Sequence, residues 1–166
     1  MAVTSIGANG WVVDSVTANP MMGPSVETLI DMGAKESNLI VNEGQGFHLL
    51  APMILHAGFI HYMVNMLALW FIGSAVEHFH GYAAASIIFV ISSLGGTIMS
   101  AVFLPEIVSV GASGGIFGLI GACLADIFMH WNMLFSTYLN DGQQKQKHWS
   151  VIAWLTSIFS SIVLLV

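Results

Sequence analysis

Val110-Gly111-Ala112-Ser113-Gly114-Gly115-Ile116-Phe117-Gly118-Leu119-Ile120-Gly121-Ala122-Cys123-Leu124-Ala125 leads an apolar run that extends from about Gly114 to Met129. Small residues recur at spacings of four (Gly111 to Gly115, Gly114 to Gly118, Gly121 to Ala125) and so lie on adjoining stripes of one helix, where they let a neighbouring backbone come close. A helix of this kind is predicted in the middle of a bundle. Ser113, at its head, reads either as a helix cap within a packing motif or as a reactive hydroxyl at a helix mouth.

The rest of the chain sets that helix in a membrane. Hydrophobic residues make up 56% of the chain and charged residues 7%, whereas a soluble domain is about a quarter charged. Runs of ~20 apolar residues cross a bilayer, and four of about that length are present: Ala57 to Val76, Tyr82 to Phe103, Gly114 to Met129 and Trp149 to Val166. The fold class predicted is all-α, a polytopic membrane helix bundle of about four transmembrane helices. The last run ends still apolar, which reads as a cut. Residues 1 to 42 hold no spanning run and no signal peptide. The net charge of −6, without a single arginine, gives no footprint for nucleic acid, so the expected partners are lipid and other membrane segments. One cysteine, Cys123, excludes an intrachain disulfide and a thiolate metal cluster.

Residues 1–48 are read as an extramembrane N-terminal segment and first loop, and residues 49–166 as the membrane domain. Ser25 is expected to cap a short amphipathic helix ending near Gly33. The polar stretch between Trp131 and His148 carries Lys145 and Lys147 and is placed in the cytoplasm by the positive-inside bias. Residues 1 to 55 and the Leu104 to Val110 loop then face the other side. Glu77, His78, His80 and His130 are read as interfacial.

His61 and Asn65 are four apart, so they share a helix face near the start of the first run. Alternate spans run parallel, which puts Ser113 at the same membrane side. Free amides and the positive dipole end at Ser113, with His61 and Asn65 as side-chain donors, could hold an oxyanion formed when the hydroxyl attacks an amide carbonyl. Gly111 and Gly114 would let a substrate strand approach, and His56 is a further candidate for support. A His56/His61 zinc pair lacks a third ligand, so no metal is assigned. The serine still needs a general base. His78, His80 and His130 lie ~25 Å or more away along their helices, His148 opens the last run from the same far side, and no carboxylate orients His48, His56 or His61. The base is therefore expected on a further helix after Val166.

The stretch His56-Ala-Gly-Phe-Ile-His61, Tyr-Met-Val-Asn65-Met-Leu-Ala-Leu, then Val76-Glu77, then Val110-Gly111-Ala-Ser113-Gly-Gly-Ile-Phe-Gly118 resembles the rhomboid intramembrane serine proteases. The likeness runs from about Asn19 to Trp131. Asn19-Pro20, Gly23-Pro24-Ser25 and Gly33-Ala34-Lys35 are similar to the eukaryotic secretase-type members. The resemblance implies the middle four helices of a six-helix core, Ser113 as nucleophile, His61 and Asn65 as oxyanion-binding residues, no cofactor, and transmembrane proteins as substrates. It implies also a loop-tying role for Glu77 and a basic histidine on a sixth helix. The first and sixth helices are expected beyond the two ends, so the chain alone is expected to be inactive. Phe47-His48 departs from the Trp-Arg of many members, which weakens the implied anchor of the first loop. Two alternatives from other classes stay open: a catalytically dead relative that binds membrane clients, and a purely structural or transporter-like bundle.

Overall fold

Ser25 starts the first helix of the described residues, as its place before an apolar stripe predicts. In the computed structural model, which describes residues 19–130, its hydroxyl accepts the Thr28 N–H at 3.3 Å and caps α1 (Val26–Asp31). Gly33 closes α1: its N–H and that of Ala34 return to the carbonyls of Ile30 and Leu29, the carbonyls a helix end leaves over. Helix α2 (Ser37–Val41) follows, capped by the Glu36 carboxylate on the Leu39 N–H at 2.7 Å. Two 3-10 turns, Gly46–Leu49 and Ala51–Met53, lead to the membrane helices. The fourth apolar run, the polar loop with Lys145, Lys147 and His148, and residues 1–18 lie outside the described residues.

The apolar part begins with α3 (Phe59–Ala68), passes through a π-helical turn (Leu69–Gly73) and continues as α4 (Ser74–Phe103). No side chain caps α3. Its first amides are taken by the chain upstream, Phe59 N–H to Met22 O and Ile60 N–H to Met21 O. Asn19 holds that upstream turn with Nδ2 bonds to the Pro24 and Ala57 carbonyls, at 3.0 and 2.9 Å. The run from Phe59 to Phe103 is long and apolar enough to cross a membrane, and Ser113–Met129, here α5, is a shorter apolar helix. Among the described residues there is no strand, only an isolated bridge between Lys35 and Ser109.

Gly81 breaks the long run. Its φ of 81° and ψ of 161° are not helical, and the positive φ is one a side chain would resist. The direction of the chain on each side follows from what α5 touches. Along α5, a methyl built on Gly114 would meet Ser93, one on Gly118 would overlap Ser92 and come 3.5 Å from the Ile88 carbonyl, and Gly96 faces the Gly114 α-carbon. Contacts on α4 thus recede as α5 advances. On the earlier half they advance instead, from His61 beside Gly111 to Gly73 beside Leu119. The chain therefore reverses at Gly81, and α5 runs parallel to α3 and antiparallel to the Tyr82–Phe103 part of α4, as alternation of spans predicts.

The buried apolar core gathers Leu29, Leu55, Ala68, Ile72, Val76, Ala112, Ile116 and Leu119. Trp70, Phe79, Ile91 and Val102 are exposed, so the outer faces of these helices are apolar, as lipid-facing surfaces are. Two compact units divide after Ile120. In the second, the described residues complete α5, where the Asp126 carbonyl accepts from the backbone N–H of His130 and is bonded to its ring Nδ1, each at 3.0 Å.

His48 anchors the first loop despite the departure from Trp-Arg. It is 1% exposed, and its ring nitrogens bond the Ala34 carbonyl at 2.6 Å and the Gln45 side-chain oxygen at 3.1 Å. The tie that the sequence left in question is made by imidazole in place of guanidinium. His48→Ala strips a buried carbonyl of its partner, and is expected to cost about 1–3 kcal/mol. Thermal unfolding in detergent should show this as a Tm several degrees lower. An unchanged Tm would count against the anchor.

Candidate active site

The turn into α5 is where the candidate residues meet. Gly111 has a φ of 130°, a conformation open to glycine and resisted by residues with a side chain. A methyl carbon built on it would stand 3.1 Å from His61 Nε2 and 3.8 Å from Ser113 Oγ. Imidazole and hydroxyl thus flank one point, and only a residue without Cβ leaves it open. Gly111 is held in place by its N–H, which donates to the Pro52 carbonyl at 2.8 Å.

His61 comes to this point in a defined protonation pattern. Its Nδ1 accepts the Ala57 N–H at 3.3 Å, so a neutral ring carries its proton on Nε2, the nitrogen nearer Gly111 and Ser113. In that tautomer His61 is a donor toward the site and cannot take the serine proton. Ser113 is the first residue of α5, where the amides have no acceptor within the helix. The Ala112 carbonyl already accepts the Ile116 N–H at 3.1 Å.

Asn65 is placed differently from the expectation of a donor aimed at the same point. It is 5% exposed and its Nδ2 donates to the His61 carbonyl at 2.9 Å, one turn back along α3. One of its two N–H groups thus stiffens the turn that carries His61. Gly114 also differs: a methyl built on its α-carbon would stand 3.3 Å from the Ser93 α-carbon of α4, so its missing side chain serves helix contact. His56 is 4% exposed, edge-on to His61 and Tyr62 with ring centroids 5.6 and 5.2 Å away. Neither of its ring nitrogens has a hydrogen-bond partner among the described residues. Burial, and then the neighbouring His61 ring, lower its pKa from the usual histidine range, so it stands there uncharged.

Sequence reasoning missed the residues that hold this turn from outside, namely Pro52, Ala57 and Lys35. Two of them act through backbone groups, which any residue possesses. Lys35 was noted within Gly33-Ala34-Lys35, but nothing in the pattern showed that its ammonium is buried.

The family model described as Rhomboid domain matches residues 43–166. The chain belongs to the rhomboid family. It is similar to RHOMBOID-like protein 2 of Arabidopsis thaliana, 50% identical over 115 residues, covering 69% of this chain and 36% of that one. Rhomboid protease GluP of Bacillus subtilis is 45% identical over 100 residues, covering 60% of this chain and 19% of that one. Inactive RHOMBOID-like protein 8 of Arabidopsis thaliana is 31% identical over 119 residues, covering 72% and 34%. The chain spans about a third of the length of the curated plant relatives it matches. No solved structure matches it. Family membership makes it a helical integral membrane protein and relates it to intramembrane proteases.

Proposed function

We propose that this chain supplies the nucleophile and the oxyanion-binding part of an intramembrane serine endopeptidase that cleaves transmembrane proteins. The halves of the long run, Phe59–His80 and Tyr82–Phe103, each cross the bilayer once, and α5 crosses next. Ser113 Oγ attacks the scissile carbonyl carbon, forming a C–O bond. The carbonyl oxygen, now an oxyanion, takes hydrogen bonds from the Ser113 backbone N–H and from His61 Nε2–H, with Asn65 holding the His61 turn. The C–N bond then breaks, the amine leaves with a proton, and water hydrolyses the acyl ester. The base that removes the serine proton comes from outside residues 19–130, because His61 is poised as a donor, His48 is engaged with Ala34 and Gln45, and His56 packs edge-on against the His61 and Tyr62 rings. The observation that carries this reading is the shared point at Gly111, flanked by His61 Nε2 and Ser113 Oγ.

The competing reading is a client-binding protein that does not cut. The one feature on its side is that no base for Ser113 stands among the residues just described. A fluorophosphonate separates the two, since it reacts only with an activated serine. The full-length protein, in detergent or nanodiscs, is expected to take up one label, found by peptide mass spectrometry on Ser113. A folded protein that takes none, or takes it elsewhere, would overturn the protease reading in favour of the binder.

A further inference from the structure

Between α4 and Ser113 the chain passes through a loop that has little structure of its own. Leu104 leaves the helix at φ −133°, ψ 58°, and the Ile107 N–H returns to the Leu104 carbonyl at 3.1 Å. One local tie joins the Ser100 and Ser109 hydroxyls at 3.4 Å, and the rest come from far upstream. Lys35 N–H donates to the Ser109 carbonyl at 2.9 Å, and Ser109 N–H to the Lys35 carbonyl at 3.2 Å. The side chain of Lys35 adds two more bonds, Nζ donating to the Leu104 carbonyl at 2.7 Å and to the Ile107 carbonyl at 2.6 Å. Ser37 Oγ reaches the Ala101 carbonyl at 3.2 Å in the last turn of α4.

Lys35 is wholly buried, at 0% exposure. A buried ammonium is costly unless its surroundings favour positive charge. Here they do, because the last carbonyls of α4 are the negative end of the helix dipole and lack partners within the helix. An uncharged side chain of the same length would fill the space without satisfying those carbonyls. The chemistry of a lysine is thus used twice, as a cation at the α4 C-terminus and as a double donor to the loop. From Ser109 the chain needs only Val110, Gly111 and Ala112 to reach Ser113. Packing on α4 fixes the axis of α5 through Gly114, Gly115 and Gly118, but it does not fix the turn that precedes it.

We infer that Lys35 is a positioning residue for Ser113: it caps α4 and pins the Leu104–Ser109 loop, and so sets the Gly111 turn that brings the hydroxyl beside His61. The pinning stands on the bonds above; its catalytic consequence rests on Ser113 being the nucleophile. Burial lowers the Lys35 pKa, yet the two carbonyl acceptors suit the protonated form.

The test uses the full-length protein in nanodiscs, with Lys35→Met, which keeps length and removes the donors, and Lys35→Arg, which restores charge and donors. Hydrogen exchange at the Ser109 and Gly111 amides is expected to rise roughly tenfold or more in Lys35→Met, with the Gly118 to Ile120 amides unchanged and partial recovery in Lys35→Arg. Fluorophosphonate labelling of Ser113 should slow in parallel, with kcat reduced, KM held and partial rescue by arginine. Unchanged exchange at Ser109 and Gly111 overturns the pinning. Loosened exchange with undiminished labelling, or faster exchange throughout α5, overturns the positioning role. A wild-type protein that takes no label, while its loop still loosens in Lys35→Met, overturns the nucleophile reading and leaves Lys35 as a cap of α4. Should Lys35→Met fail to fold, Lys35→Leu, which likewise has no donor, is read in the same way.

Discussion

Ser113→Ala in the full-length protein is expected to lower the rate of substrate cleavage by on the order of 10⁴-fold or more, with substrate binding little changed. The substitution removes one oxygen at the start of α5 and leaves the rest of the site standing. Gly111 keeps its tie to Pro52, and His61 keeps its tie to Ala57. The proposed oxyanion donors therefore survive, and what is expected to remain is the slow attack of water on a bound carbonyl. Because alanine has high helix propensity and the new side chain is smaller, the fold should hold. The measurement is cleavage of a transmembrane substrate in proteoliposomes, with substrate affinity read separately. Cleavage that survives the substitution at more than a small fraction of the wild-type rate would remove Ser113 from the chemistry.

The second large effect is on the fold. Gly118→Leu is expected to destabilise the bundle by about 3 kcal/mol or more, because the space beyond the Gly118 α-carbon is already filled. Even a methyl there overlaps Oγ and Cβ of Ser92, and the Cβ cannot rotate away. The helices would have to part, and the neighbouring contacts at Gly114 and Gly115 would go with them. In a membrane this loss is not offset by burial, since lipid is as apolar as the leucine added. Gly95→Leu is the control, because a methyl built on Gly95 meets nothing within 4 Å among the described residues. Thermal unfolding in a mild detergent should separate the two variants widely. Equal stability would mean that α4 and α5 do not pack through this stripe.

Four glycines at the head of α5 and in the turn before it show how far the sequence reaches. The spacing of Gly114 and Gly118 predicted a close helix contact, and the contact is present, with Ser92 and Ser93 of α4 as the partner. Spacing alone also put Gly111 on the same stripe as Gly115. The structure separates them: Gly111 has a positive φ and makes a turn beneath His61, whereas Gly115 lies against Phe89 and Ser93. A periodicity rule describes positions on a helix already formed and is blind to where that helix begins. The same limit explains Asn65, which shares a face with His61 as predicted but turns its amide back to the His61 carbonyl. Side-chain direction depends on partners, and those partners are not encoded in the interval of four.

What the sequence determined by itself is what repeats locally or depends on composition. The apolar runs, the Ser25 cap, the close-packing face of α5 and the placing of Ser113 at a helix start all follow from rules that span a turn or two of chain. Only the tertiary structure decided that Lys35 is buried at the end of α4, that His48 binds the Ala34 carbonyl, and that Ala57 sets the tautomer of His61. Lys35 and His48 would ordinarily seek water, and they are buried here because oxygens from other parts of the chain bond their nitrogens. That compensation comes into being when the segments meet.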